Sequence, residues 1–133
     1  MAQQNVSIVL KIALIIAVIE LGIYGLVLFF IPAQFVEFIK SNPVEAVNLR
    51  WPGGILIALA VGAILVLRKP AGQGSLVLTL TLGYLLAGLA MVYSWTAKEY
   101  SADTVQLAVP AILNLVVTVL LFLGWQTSRD TLG

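Results

Sequence analysis

One carboxyl group and three uncharged hydrogen-bonding side chains fall inside apolar stretches of the sequence. Glu20 and Tyr24 lie four residues apart in the first stretch, and Tyr84 and Asn114 lie near the middle of two later ones. A helix places residues i and i+4 on one face. Acids inside a membrane are candidates for proton transfer or ligand binding. These four residues therefore form the candidate proton or ligand site.

The carboxyl group of Glu20 has no basic residue at a matching depth to neutralise it. An isolated carboxylate at mid-membrane costs about 3 kcal/mol on insertion scales. Protonation, or hydrogen bonds from the tyrosines or from Asn114, would relieve that cost. Two interpretations stay open: Glu20 is a protonated group that holds helices together, or it is a proton or ligand site.

The composition of the chain excludes several functional classes. Hydrophobic residues make up 61% of the 133 residues and charged residues only 10%, too few for the surface of a soluble domain. Cysteine and histidine are absent, which excludes thiolate zinc sites, iron–sulfur clusters and imidazole-ligated haem. A net charge of +1 offers no basic patch for nucleic acid. We therefore predict a membrane protein with no metal ion and no cofactor.

Four apolar stretches are long enough to carry these residues across a bilayer, because about 20 apolar residues in a helix span the hydrocarbon core. The predicted spans are residues 8–31, 51–67, 74–97 and 105–125. Pro110 is expected to kink or interrupt the fourth span. The sequence thus predicts an all-α fold, a single domain that forms an integral membrane four-helix bundle.

The connection between the first two spans is predicted to be structured. Pro32 ends the first span, because proline lacks a backbone donor. Residues 33–40 place Phe35 and Phe38 where they can enter the membrane boundary while polar neighbours stay in water, which predicts a short amphipathic interfacial helix. Residues 42–45, Asn-Pro-Val-Glu, are typical of a helix start.

Small residues recur every four positions on the second and third spans. They are Gly54, Ala58 and Gly62 on the second span, and Ser75, Thr79, Gly83 and Ala87 on the third. Small side chains let two helix backbones approach closely. The pattern predicts that these two spans form a closely packed antiparallel hairpin, and that Gly83→Leu weakens the bundle.

The boundaries of the first two spans carry marks of a known group of proteins. Pro32 ends the first span, and Arg50 precedes Gly53 and Gly54 at the start of the second. In these residues the chain resembles small bacterial four-helix membrane proteins, the DoxX-like and related uncharacterised families. Residues 88–90, Gly-Leu-Ala, stand where a glycine–arginine pair is expected. The resemblance implies a four-helix bundle in a bacterial inner membrane.

Two functions are compatible with the sequence. It has no nucleophile elbow, metal-ligand cluster or phosphate loop, which favours a non-catalytic accessory or scaffold subunit of a larger membrane complex. The alternative is a proton-coupled small-molecule transporter that works as a homo-oligomer with Glu20 as its site. The small multidrug-resistance transporters are similar in having four spans and a glutamate in the first, although their glycine-rich third-span motif is missing here. The expected partners are lipid and other subunits or copies.

Both termini are predicted to lie in the cytoplasm. An even number of spans places the termini on one side, and basic residues near the span ends decide which side. The side with the termini carries Lys11, Arg68, Lys69 and Arg129, against Lys40, Arg50 and Lys98 on the other. Four basic residues against three favour cytoplasmic termini, in the inner (cytoplasmic) membrane.

Overall fold

The computed structural model describes residues 5–42, 44–99 and 104–133. Within these ranges the chain is helical, with α1 at Ile8–Phe30, α2 at Pro32–Phe38, α3 at Val47–Arg68, α4 at Gly74–Thr96, α5 at Thr104–Thr127 and α6 at Arg129–Leu132. Four of the described helices, α1, α3, α4 and α5, are long and apolar enough to cross a membrane. The predicted all-α membrane bundle is therefore confirmed.

The ends of α1 follow directly from local sequence. Ser7 caps the helix, because its Oγ accepts a hydrogen bond of 3.2 Å from the backbone N–H of Leu10. Ile31 leaves the helical conformation, and Pro32 then starts α2 at a position where its missing N–H costs nothing. Phe38 of α2 is 79% exposed while Phe35 is half-buried. The predicted short helix after the first span is thus confirmed.

The start of α3 differs from the prediction. Residues 44 and 45 are not helical and Pro43 lies outside the described residues, while α3 begins at Val47. The predicted helix start at residues 42–45 is therefore wrong. Pro52 lies inside α3 near its beginning, where its missing donor removes one backbone hydrogen bond close to an exposed end. That cost is small enough for the helix to begin several residues before Trp51.

The four spans form a ring with one open side. Contacts are most extensive between α1 and α3 and between α4 and α5, α1 also packs against α5, and α3 meets α4 at few places. Glycines mark the closest approaches: a Cβ atom on Gly53 would lie 2.8 Å from the backbone N of Phe29, and one on Gly88 would lie 2.9 Å from Leu115 Cδ2. The ring order is therefore α3, α1, α5, α4.

The prediction that the second and third spans form a closely packed hairpin is wrong. The structure joins α3 and α4 by a short turn, and near that turn a Cβ atom on Gly62 would lie 3.5 Å from Leu76 of α4. Beyond this level the two helices have few contacts. The physical reason is that α3 gives its tightest face to α1, through Gly53 and Gly25, and α4 gives its tightest face to α5.

The hydrophobic core lies at one end of the bundle. Its buried members come from the first part of α1 and α4, the last part of α3 and α5, and the two ends of the chain: Val6, Leu10, Ala13, Leu14, Ala17, Leu21, Ala60, Ala63, Val66, Val77, Leu80, Tyr84, Val117, Leu121 and Leu132. In an antiparallel arrangement these parts are all at the level of the termini. The bundle is thus densely packed at that end and more open at the end near α2.

Hydrogen bonds between the two ends of the chain close the packed end. The backbone N–H of Ser7 donates to Ser128 Oγ at 2.9 Å, and the hydroxyl of Thr127 donates to Ser7 Oγ at 2.9 Å. Leu132 of α6, four residues after Ser128, is fully buried. The first and last described segments of the chain therefore lie at the same end of the bundle, as an even number of spans requires. We call this group, residues Ser7, Thr127, Ser128 and Leu132, the terminal seal.

Candidate ligand site

A cavity of about 440 Å³ lies between the helices, on the open side of the core. All four spans and α2 contribute to its wall, which is almost entirely apolar, with residues such as Leu28, Leu56 and Met91. Its volume is within the range of small-molecule sites, which are concave and mostly apolar with a few polar groups. The cavity is therefore the candidate functional site.

Glu20 is placed on the cavity wall by the buried face of α1. Ala13 and Ala17 are fully buried on this face, and Glu20 follows one turn later, half-buried. Its Oε2 atom is buried and has no hydrogen-bond partner among the described residues. A buried polar atom without a partner is unusual and costs about 1–3 kcal/mol. Glu20 therefore has an unused hydrogen-bond acceptor at the cavity wall.

Tyr84 occupies the facing wall, at the middle of α4. Its side chain is only 4% exposed, and its hydroxyl has no hydrogen-bond partner within the described part of the chain. The hydroxyl and the Glu20 carboxyl group face each other closely enough for a long side-chain hydrogen bond between them, but neither the hydroxyl nor Oε2 has a partner at ordinary hydrogen-bond length. Two unsatisfied oxygen atoms thus share one apolar cavity.

Tyr24 and Asn114 complete the predicted set on the same wall. Tyr24 is 38% exposed and packs edge-to-face against Phe35 of α2, with the ring centroids 6.2 Å apart. The side-chain amide of Asn114 donates to the Pro110 carbonyl at 2.7 Å and contacts Met91 Sδ at 3.7 Å. The structure therefore brings all four residues to one cavity, although the Asn114 donors are already engaged and the functional role of the set stays a prediction.

The fourth span continues through Pro110 without a break, since α5 is one helix from Thr104 to Thr127. The predicted interruption is therefore wrong. Pro110 lies in the second turn of α5, so its missing N–H removes one backbone hydrogen bond near the helix start. Thr118 Oγ1 donates to the Asn114 carbonyl at 2.8 Å one turn further along. Proline and its neighbours thus shape the cavity wall without dividing the helix.

The small residues of α4 line the cavity. Thr79, Gly83 and Ala87 are exposed and border the cavity, and no heavy atom of another described helix lies within 4 Å of a Cβ placed on Gly83. Gly83 is therefore not at a helix contact, while the packing role of Thr79 and Ala87 stays a prediction. A small side chain permits close packing where a helix is present, and leaves open space where none is.

The small residues of α3 are only partly at helix contacts. A Cβ on Gly54 would lie 3.7 Å from the ring of Phe29, an ordinary contact, and Gly62 faces Leu76 of α4. Ala58 between them is exposed. Sequence reasoning missed the tight contact of Gly25 on α1, although a signal was present: Gly25 continues the four-residue spacing of Ala13, Ala17 and Leu21, and all four are buried.

The chemistry of the site is that of recognition by hydrogen bonds. A carboxyl group accepts hydrogen bonds and, when protonated, also donates one, while a phenol hydroxyl does both. Among the described residues no cluster of three metal-binding side chains is present. The cavity can therefore hold the polar head of one small molecule against Glu20 and Tyr84 and surround the remainder with apolar side chains.

Comparison with known proteins identified no relative of this chain. No family model matches the sequence, and neither a curated protein nor a solved structure is significantly similar to it. The resemblance to DoxX-like proteins therefore stays a prediction. The functional argument rests on the cavity and on the residues that line it.

Proposed function

We propose that this protein is a non-catalytic multi-pass membrane protein that binds a small molecule at mid-membrane, and that it works as an accessory subunit of a larger membrane assembly. One observation carries the binding function. Within the described part of the chain, Glu20 Oε2 and the Tyr84 hydroxyl are buried without a hydrogen-bond partner, and both residues line the 440 Å³ cavity. Glu20 on α1 and Tyr84 on α4 face each other without a hydrogen bond of ordinary length between them, so the polar head of a ligand could bond both.

Native mass spectrometry of protein purified in mild detergent tests both parts of this proposal. We expect the wild type to carry one small molecule and to co-migrate with protein partners in fixed stoichiometry. Tyr84→Phe should reduce small-molecule occupancy about fivefold, the equivalent of one hydrogen bond of ~1 kcal/mol. Tyr93→Phe is the matched control, because Tyr93 lies on the same helix, is 65% exposed and does not border the cavity.

This experiment tests the binding function and the accessory role independently. A wild type without a bound small molecule, or equal occupancy in Tyr84→Phe and Tyr93→Phe, would contradict the binding function. A lone protein, free of partners in several mild detergents, would contradict the accessory role. A lone dimer would favour the transport function instead.

Proton-coupled transport by a homo-oligomer is the second candidate, and the ring geometry favours it. The α1–α3 pair and the α4–α5 pair are each tightly packed, whereas the two pairs meet mainly through α1 and α5. Glu20 lies on one pair and Tyr84 on the other. Transporters change access by moving one rigid unit against another around a central site. Two helix pairs joined at the terminal seal would be such units.

We propose an inner-membrane location with both termini in the cytoplasm, supported by the four basic residues at the packed end against three at the other. A reporter joined to Gly133 through a flexible linker should be active in the cytoplasm. The matched fusion within the α2–α3 connection, after Asn42, should be active only on the opposite side. The reverse pattern would overturn the orientation.

A further inference from the structure

The open side of the ring leads from the membrane into the cavity. Leu56 and Leu59 border the cavity on α3, and Thr79, Gly83 and Ala87 border it on α4. We call this opening, between these five residues, the α3–α4 gap. The gap lies at the middle of both helices. No heavy atom of another described helix lies within 4 Å of a Cβ placed on Gly83. A molecule dissolved in the hydrocarbon core faces this gap directly.

The gap presents no polar group that would require water. The hydroxyl of Thr79 donates to the carbonyl of Ser75 on its own helix at 2.9 Å, so its hydrogen is already used. The leucines, Gly83 and Ala87 offer only apolar surface. A charged molecule at this depth would pay the cost of leaving water, whereas an uncharged one would not. The route therefore selects for uncharged, membrane-dissolved molecules.

The inner end of the route has the opposite character. Tyr84 is only 4% exposed, and its hydroxyl and Glu20 Oε2 have no hydrogen-bond partner among the described residues. A ligand with a hydroxyl or amide head would satisfy both oxygen atoms, while its apolar tail would extend through the gap into lipid. This combination specifies the ligand more narrowly than the cavity volume does.

Building on the proposed binding function, we infer that the ligand is an uncharged amphiphile, with one hydrogen-bonding head and an apolar tail, that enters sideways from the bilayer through the α3–α4 gap. The head reaches Glu20 and Tyr84, and the tail lies against the leucines of α3. A ligand from the aqueous phase, a lipophilic cation, or a second copy of the chain seated in the gap are the competing occupants.

Photolabelling in phosphatidylcholine vesicles tests this inference with two matched probes. One is dodecanol carrying a diazirine, and the other is dodecyltrimethylammonium carrying the same diazirine. We expect the alcohol to label cavity residues, as mapped by peptide mass spectrometry, and the cation to label them much less. Gly83→Phe should abolish labelling, because a large side chain in free space fills the gap. Gly22→Phe is the control, since Gly22 also has free space but does not border the cavity.

Each other result overturns the inference in an identifiable way. Equal alcohol labelling in Gly83→Phe and wild type would reject the route but leave the binding function intact. Preferential labelling by the cation would reject the uncharged ligand. Protection of the gap by a second copy, seen as a cross-linked dimer without labelling by either probe, would reject lateral access. If native mass spectrometry also finds no bound molecule, the binding function fails with it.

Discussion

Gly124→Leu is expected to destabilise the bundle strongly, because the site has no room for a side chain. A Cβ atom on Gly124 would lie 2.6 Å from the Cα of Leu10, and Leu10 itself is fully buried in the core. Overpacking a core costs about 1–3 kcal/mol when side chains can move aside. Here the obstacle is the backbone of α1, so α1 and α5 would have to separate. We therefore expect the free energy of unfolding to fall by about 3 kcal/mol or more.

Thermal unfolding in detergent, followed by circular dichroism, measures this effect. Gly83→Leu and Gly22→Leu are controls in which the same side chain enters free space, and both should unfold near the wild-type temperature. This reverses the sequence-based expectation that Gly83→Leu weakens the bundle. Should Gly83→Leu destabilise as strongly as Gly124→Leu, α3 and α4 would have to pack closely and the ring order described above would be wrong.

Glu20→Gln is expected to abolish proton-coupled transport, if that is the activity, while the protein stays folded. Glutamine keeps the size of the side chain and its hydrogen-bonding capacity but cannot exchange a proton. A phenol releases its proton only in strongly alkaline solution, so the cavity tyrosines cannot replace Glu20 near neutral pH. Proton flux should therefore fall to the level of empty vesicles.

Proteoliposomes that contain a pH-sensitive dye measure this flux after addition of the molecule identified by native mass spectrometry. Glu37→Gln provides the matched control, because Glu37 lies on the exposed face of α2, outside the spans and away from the cavity. Equal flux from wild type and Glu20→Gln would remove Glu20 from the mechanism. An absence of flux in the wild type would leave binding without transport as the function.

The number and extent of the helices could be predicted because each span must cross about 30 Å of hydrocarbon, which only a long apolar helix does. Ala13 and Ala17 also indicated the inward face of α1, because small residues let a neighbouring helix approach and the acid on the same face is costly to expose to lipid. These features depend on single helices. The start of α3 at Val47 does not follow from the local capping signals of residues 42–45, which were misleading.

The helix contacts could not be predicted from spacing alone. A transmembrane helix is apolar on every side, so hydrophobicity does not distinguish a face against lipid from one against protein. Gly54 and Gly83 have the same sequence pattern, but the first faces Phe29 and the second faces open space. The cavity itself depends on where α2 places Phe35 and on which side of the ring stays open. Neither the position of Phe35 nor the open side of the ring can be inferred from residue spacing.

The terminal seal has a consequence for how the protein is made. Ser7 and Ser128 are 121 positions apart, so their hydrogen bond can form only after α5 has been synthesised and inserted. The first helix pair, α1 with α3, can assemble earlier, since chains emerge from the ribosome N-terminus first. During that interval Glu20 lacks the wall that α4 and α5 supply. A partly synthesised chain therefore holds an uncovered acid at mid-membrane, which costs about 3 kcal/mol if ionised. Insertion of the last helix forms the terminal seal and adds the last part of the cavity wall, and so completes the site and the fold in one step.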